Sequence, residues 1–227
     1  ELSAEEARLD DPVGLGKYIL GAQANMWTEY IKYPSKVEYH LFPRITALSE
    51  VLWSPKEKRN WKDFERRLPT IFERLDKQKI NYSKAYYDLK ATVMSTPDYN
   101  GILYKLETTT NNYKIEYLPS MLHSSFINYE KPILIQDNIY GMNVLLRVNG
   151  KVVSGTMQSF YFNKATGKKI TLATDADKKY PGDGAFTLVN GVQNEKGMSK
   201  TSEFLGFNGT DMEATIDLGK ETEVSKI

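Results

Sequence analysis

Apolar residues in the first third of the chain recur at helical spacing. Val37, Leu41, Ile45, Leu48 and Leu52 fall three or four residues apart, the period of one helix face. Pro34-Ser35-Lys36-Val37-Glu38 predicts where that helix begins, with Ser35 as cap and Glu38 three residues further on. Pro43 interrupts the pattern and predicts a kink, because proline removes a backbone donor. Ser54-Pro55-Lys56-Glu57 predicts a second start, combining a cap, a proline in the first turn and a capping glutamate. Trp61, Phe64, Leu68, Ile71, Phe72 and Leu75 then form one apolar face, and the charges from Lys62 to Lys79 read as its solvated opposite side. Ser3-Ala4-Glu5-Glu6 has capping-box spacing too. Tyr18 to Asn25 is a short, mostly apolar run suited to a buried strand.

From about Tyr87 the period changes to alternation. Leu89 to Met94, Ile102 to Thr108, Tyr113 to Tyr117, Val144 to Val148 and Gln158 to Phe162 read as strands rich in Val, Ile, Thr and Tyr. Asn100-Gly101, Asn111-Asn112 and Asn149-Gly150 separate them, and Asn149-Gly150 is a hairpin signal. Short strands at this spacing predict an antiparallel sandwich. A third texture starts near Asn163, contains Tyr180 to Phe186, and closes with Ala214 to Gly219. The last residues, Glu223 to Ile227, resemble a strand without a neighbour, which leads to the expectation that the chain ends inside a domain. The fold class is therefore α+β and multi-domain, with regions 1–82, 88–162 and 163–227.

Composition narrows the function classes. Thirty basic residues against twenty-nine acidic ones give a net charge of +1, so nothing calls for nucleic acid or an anionic membrane as partner. Cysteine is absent, which excludes disulfides and thiolate metal sites. Apolar stretches are far too short for a membrane span, and no signal peptide is visible. Fifteen Tyr, nine Phe and three Trp suit both sheet cores and sugar faces, so the aromatic content alone does not choose between them.

Generic catalytic motifs are missing. There is no phosphate-binding glycine loop and no His-Glu-x-x-His pattern. His40 lies in an amphipathic helix and His123 in a loop or strand edge; both read as structural or surface residues. Asp183 and Asn190 can offer oxygen ligands, but such residues mostly just make turns, so no metal and no cofactor is expected. The informative stretch is Gly21 to Tyr30. Trp27 and Glu29 are two apart, so in an extended segment they point to the same side. An indole face packs against the C–H face of a pyranose, and a carboxylate accepts hydrogen bonds from its hydroxyls. The bland alternative is a core tryptophan beside a solvated glutamate. Gln23 and Asn25 are candidates for positioning the loop.

The run Ile19 to Ile31 resembles the last barrel strand of family 20 β-N-acetylhexosaminidases. Val37 to Arg44 and Ala47 to Ser54 resemble the helix that follows, and Asn60 to Phe64 and Ile80 to Tyr82 continue the likeness. The resemblance covers roughly the first eighty residues. It implies that residues 1–82 are the end of a (β/α)8 barrel, whose active sites gather at the C-terminal ends of the strands. It further implies that Trp27 forms a wall of the subsite for a terminal N-acetylhexosamine and that Glu29 binds the 4- and 6-hydroxyls. Arg44, Glu50 and Trp53 match family positions and are expected to pack or form salt bridges.

The departure from the family lies in the catalytic pair. The family uses an adjacent Asp-Glu at an earlier strand, and no Asp-Glu dipeptide occurs in this chain. In that retaining, substrate-assisted mechanism the glutamate protonates the leaving oxygen and the substrate's acetamido oxygen attacks the anomeric carbon. The expectation is that the chain lacks catalytic residues, is inactive alone, and belongs to an exo-acting parent. Residues 88–162 resemble an immunoglobulin-like module. Residues 163–227 resemble the beginning of a discoidin-type module, on Tyr180 to Phe186, Gly206 to Gly209 and Ile216 to Gly219. The alternative is a non-catalytic carbohydrate-binding or spacer region. The expected partners are N-acetylhexosamine-containing glycans. The resemblance implies a periplasmic, cell-surface or secreted setting. Barrel-facing apolar surfaces are expected to drive self-association or leave the first eighty residues partly disordered.

Overall fold

A computed structural model describes residues 20–120, 124–193 and 203–225. The chain divides into two compact units, Glu1–Ser83 and Lys84–Ile227. The expected cap at Ser3, Tyr18 and Ile19 of the expected strand, His123, and Lys226 and Ile227 lie outside the described residues.

Three helices build the described part of the first unit: α1 (Pro34–Leu41), α2 (Arg44–Trp53) and α3 (Trp61–Lys77). Ser35 is not the cap of α1. Tyr33 holds that position without a side-chain bond, because Pro34 occupies the first turn, where a missing N–H costs nothing. Glu38 accepts a hydrogen bond from the backbone N–H of Asn81 at 2.8 Å, and the Asn81 amide donates to the Ser35 carbonyl. The segment that resembles the family at Ile80 to Tyr82 thus ties back onto α1. Pro43 separates two helices instead of kinking one: α1 stops at Leu41 and α2 restarts at Arg44.

The start expected at Ser54 yields only a single 3₁₀ turn, Lys56–Lys58. Helix α3 begins later, with the Asn60 side chain accepting from the Asp63 N–H at 3.2 Å. Phe64, Leu68, Phe72 and Leu75 are buried on its inner face, while Trp61 is exposed. Phe72 stacks on Tyr82 with ring centroids 4.9 Å apart. On the outer side Asp63 pairs with Arg66 and Arg67, as a solvated face should. Glu65 departs from it by being buried. Replacing Asn60 by Ala should cost about 1 kcal/mol of stability in this unit, read as a fall in the urea midpoint of its helical signal. An unchanged midpoint would show that solvent caps the helix equally well.

The strand expected at Tyr18 to Asn25 is not formed over its described residues: Leu20 to Thr28 has no regular secondary structure. A strand exists only through a ladder, and among the described residues no neighbour pairs with this stretch.

The second unit holds several antiparallel sheets. Strands β1 (Lys90–Ser95), β2 (Ile102–Glu107) and β5 (Ile133–Ile135) form one, in the order β1-β2-β5. Strands β3 (Tyr113–Pro119), β4 (Ile127–Asn128), β6 (Gly141–Val148) and β7 (Lys151–Ser159) form another, in the order β4-β3-β6-β7. Alternation sets the inner faces. Ile102, Tyr104 and Leu106 of β2 are buried, as are Met142, Val144, Leu146 and Val148 of β6. The Tyr129 hydroxyl accepts a hydrogen bond from the Leu106 N–H at 2.9 Å. Asn149 and Gly150 both have positive φ, so the expected hairpin joins β6 to β7. Leu146 pairs with Ser154 and Arg147 with Val152, leaving Val153 as the extra residue of a bulge.

Past β7 the chain folds back. A turn at Asn163 to Lys168 is closed by bonds from Thr166 and Lys168 to the carbonyls of Asn163 and Ala165. Strand β8 (Lys169–Leu172) pairs with β10 (Ala214–Asp217), and β9 (Gly182–Ala185) leads into a 3₁₀ turn, Phe186–Leu188. Glu223 to Ser225 form no strand.

Candidate functional site

Trp27 lies just before a tight turn. The Ile31 N–H donates to the Thr28 carbonyl at 2.9 Å, which reverses the chain at Glu29 and Tyr30. Lys36, in the first turn of α1, donates to the Tyr30 carbonyl at 3.2 Å and so holds the turn against the helix. Together with α1 and α2, the stretch from Gln23 to Ile31 encloses a cleft of about 660 Å³, a size ordinary for a small-ligand site.

The structure brings Trp27, Gln23 and Asn25 into this cleft with Tyr30, His40 and Arg44. Trp27 is 78% exposed, so its ring is presented to the cleft and not packed into a core. Glu29 is exposed in the turn and does not line the cleft. Glu29 lies within the turn itself, so Trp27 and Glu29 do not share the extended segment that the same-side argument assumes. Of the other polar lining residues, Lys36 and His40 lie four apart on one face of α1, and Arg44 comes from α2 beyond the proline break.

Arg44 and Glu50 act as ties. The Arg44 guanidinium donates to the carbonyls of Tyr39 and His40, which closes the open end of α1 across the proline break. Glu50 receives both ends of Arg67, at 2.6 and 3.1 Å, locking α2 to α3. That hydrogen-bonded guanidinium holds the Glu50 carboxyl below its ordinary range and raises Arg67. Trp53 corrects the packing expectation: it is 89% exposed. Asp183 and Asn190 have turn roles, with the Asp183 N–H donating to the Thr187 hydroxyl and Asn190 accepting from the Val192 N–H. Among the described residues no three His, Asp or Glu side chains gather as a metal site, and no helix is long and apolar enough to cross a membrane.

An exposed indole on a polar loop thus lines a cleft, and comparison with known proteins adds a likeness to that observation. Residues 3–56 match the model described as glycosyl hydrolase family 20, catalytic domain. A β-hexosaminidase of Porphyromonas gingivalis is 42% identical over 71 residues, which is 31% of this chain and 9% of the relative. A β-hexosaminidase of Akkermansia muciniphila is 29% identical over 80 residues, 35% of this chain and 15% of the relative. A β-N-acetylhexosaminidase of Cellulomonas fimi is 34% identical over 50 residues, 22% of this chain and 10% of the relative. The likeness to family 20 glycoside hydrolases lies in the N-terminal part of the chain. The aligned stretch covers only 9–15% of the length of these relatives.

Proposed function

We propose that the chain is part of an exo-acting β-N-acetylhexosaminidase that removes terminal N-acetylhexosamine from glycans by a retaining, substrate-assisted mechanism. The observation that carries this reading is the family 20 match over residues 3–56, which includes the loop holding Trp27. Trp27 serves as a wall for the terminal sugar, its exposed ring packing on the apolar face of the pyranose. Glu29 binds the 4- and 6-hydroxyls; its exposed carboxylate is free to turn towards a sugar held against Trp27. The acid and the acetamido-orienting aspartate come from residues other than these, since the chain contains no Asp-Glu dipeptide. The chain by itself therefore does not turn over substrate.

On this reading residues 1–82 close a (β/α)8 barrel, residues 88–162 are an immunoglobulin-like sandwich, and residues 163–227 belong to a discoidin-like module. The setting is periplasmic, cell-surface or secreted. Apolar surfaces around α1 and α2 pack on the remainder of the barrel or, without it, on a second copy; neither helix buries a residue fully here.

The test is hydrolysis of an aryl N-acetyl-β-glucosaminide and of the plain β-glucoside, by this chain and by a longer protein carrying an upstream Asp-Glu pair. Cleavage of the acetamido sugar by the longer protein alone supports both the family activity and the inactivity of the chain. Turnover by the chain would overturn the second claim, and a longer protein that cuts neither substrate would overturn the first.

A further inference from the structure

The unit Lys84–Ile227 contains a cleft of its own, about 550 Å³, walled by β1 on one side and by β8 and β9 on the other. Tyr99 stands at its edge on the hairpin between β1 and β2. This tyrosine has a φ of 54°, in the left-handed region that a bulky side chain rarely adopts, although Gly101 is only two residues away. The strain is held in place. The Tyr99 N–H donates to the Thr96 carbonyl, the Asn100 N–H to the Thr96 hydroxyl, and Lys168 to the Asn100 side chain at 3.0 Å. A ring that is 44% exposed is thereby fixed over the cleft without packing into a core. Strain kept at an exposed residue is a reason to look for function there.

The rest of the lining suits a polyhydroxylated ligand. Phe186 adds a second apolar ring, and Thr92 adds a hydroxyl along the β1 wall. The Asp183 carboxylate and the Lys169 ammonium are both exposed, and neither has an ion-pair partner among the described residues. Gly184, with a φ of 66° and nothing within 4 Å of where a side chain would start, leaves the space beside Asp183 open. One acceptor and one donor of full charge, lining the same cleft as two rings, match vicinal hydroxyls on a ring with apolar C–H faces.

We propose that this cleft is a non-catalytic saccharide-binding site for a short oligosaccharide, with Tyr99 as the stacking residue and Asp183 and Lys169 as its hydrogen-bonding groups. The site is distinct from the cleft of Trp27, and only the choice of acetamido sugars as first probe rests on the glycosidase reading.

The test is calorimetric titration of the 227-residue chain with tetrasaccharides of N-acetylglucosamine, glucose, mannose and galactose. At least one should bind in the millimolar range or tighter. Tyr99→Gly should weaken that binding by at least about tenfold. The same change should leave the thermal midpoint unchanged or raise it, because glycine accepts the left-handed backbone. Tyr99→Phe should retain binding, Asp183→Asn should weaken it, and Trp27→Ala should leave it intact. The proposal is overturned if no tetrasaccharide binds at millimolar concentration, if binding survives Tyr99→Gly, or if only Trp27→Ala removes it. Failure here leaves the hydrolysis test of the longer protein untouched, and failure there leaves binding at Tyr99 to be read directly.

Discussion

Replacing Gly167 by alanine should destabilise the unit Lys84–Ile227 by at least about 3 kcal/mol, seen as a large fall in its urea midpoint. Two costs add. Gly167 has a φ of 76°, where an L side chain costs about 1–2 kcal/mol. The added methyl would also stand 2.7 Å from the Gly101 carbonyl carbon and 3.0 Å from its Cα. Those atoms are backbone, held by the bond from Thr96 to the Gly101 carbonyl, so they cannot swing aside like a side chain. Gly150→Ala is the control. Its φ is 79°, but nothing lies within 4 Å, so it bears the first cost alone. Equal losses in the two variants would show that the turn yields freely and that the close approach is unimportant.

The reason for so tight a contact lies in what the turn seals. Ser95 donates to the Gly167 carbonyl at 2.6 Å, and the Gly167 N–H donates to the Val189 carbonyl. The Tyr161 N–H meets the Gly191 carbonyl, and Val189 and Asn190 are buried. Residues 163–192 therefore cover the end of the β1–β2 hairpin, and the same backbone fixes one wall of the cleft under Tyr99. A chain shortened at residue 163 would expose that end of the sheet.

What could be read from the sequence follows from how local each signal is. The inner face of α3 was legible because Phe64, Leu68, Phe72 and Leu75 repeat a period that only a helix satisfies. Its first residue was not. Ser54-Pro55 looks like a stronger start than Asn60, yet only tertiary packing decides which turn continues. Strands β1, β2, β3 and β6 were legible within a few residues, by alternation. The strand expected at Gln158 to Phe162 is only the end of β7, which stops at Ser159; Val153 is an extra residue, and a bulge breaks the alternation that marks a strand. Trp27 was legible as a candidate from its neighbours. The turn that holds Glu29 was not, since Lys36 fastens it by reaching back to the Tyr30 carbonyl. The cleft of Tyr99 was invisible because its walls are far apart in sequence and its signal, a strained φ, is a property of the backbone.

Tyr104→Phe should make the second unit markedly more resistant to alkali. Tyr104 is 1% exposed, its ring meets Phe160 edge-on at 5.3 Å, and its hydroxyl has no partner among the described residues. Burial raises its pKa from 10.0 to about 12, because a phenolate there would be a charge without water or a counter-ion. The folded-state value lies above the unfolded one. The preference for the neutral phenol therefore stands undiminished below pH 10, and stability falls as the pH climbs from 10 towards 12. The full loss is about 2–3 kcal/mol, because a tenfold change in proton affinity is worth roughly 1.4 kcal/mol. Phenylalanine cannot ionise, so the variant escapes this loss. Near neutral pH it should match the parent chain or exceed it by up to about 1 kcal/mol, because an unpaired buried hydroxyl is a cost to the fold. The measurement is the urea midpoint of both chains from neutral pH to the window between pH 10 and 12. Other tyrosines and the lysines titrate in both, so the difference between the curves isolates Tyr104. A gap that widens with pH supports the argument. Parallel curves would mean that the hydroxyl reaches water in solution and that the β2 face is less closed than its neighbours make it.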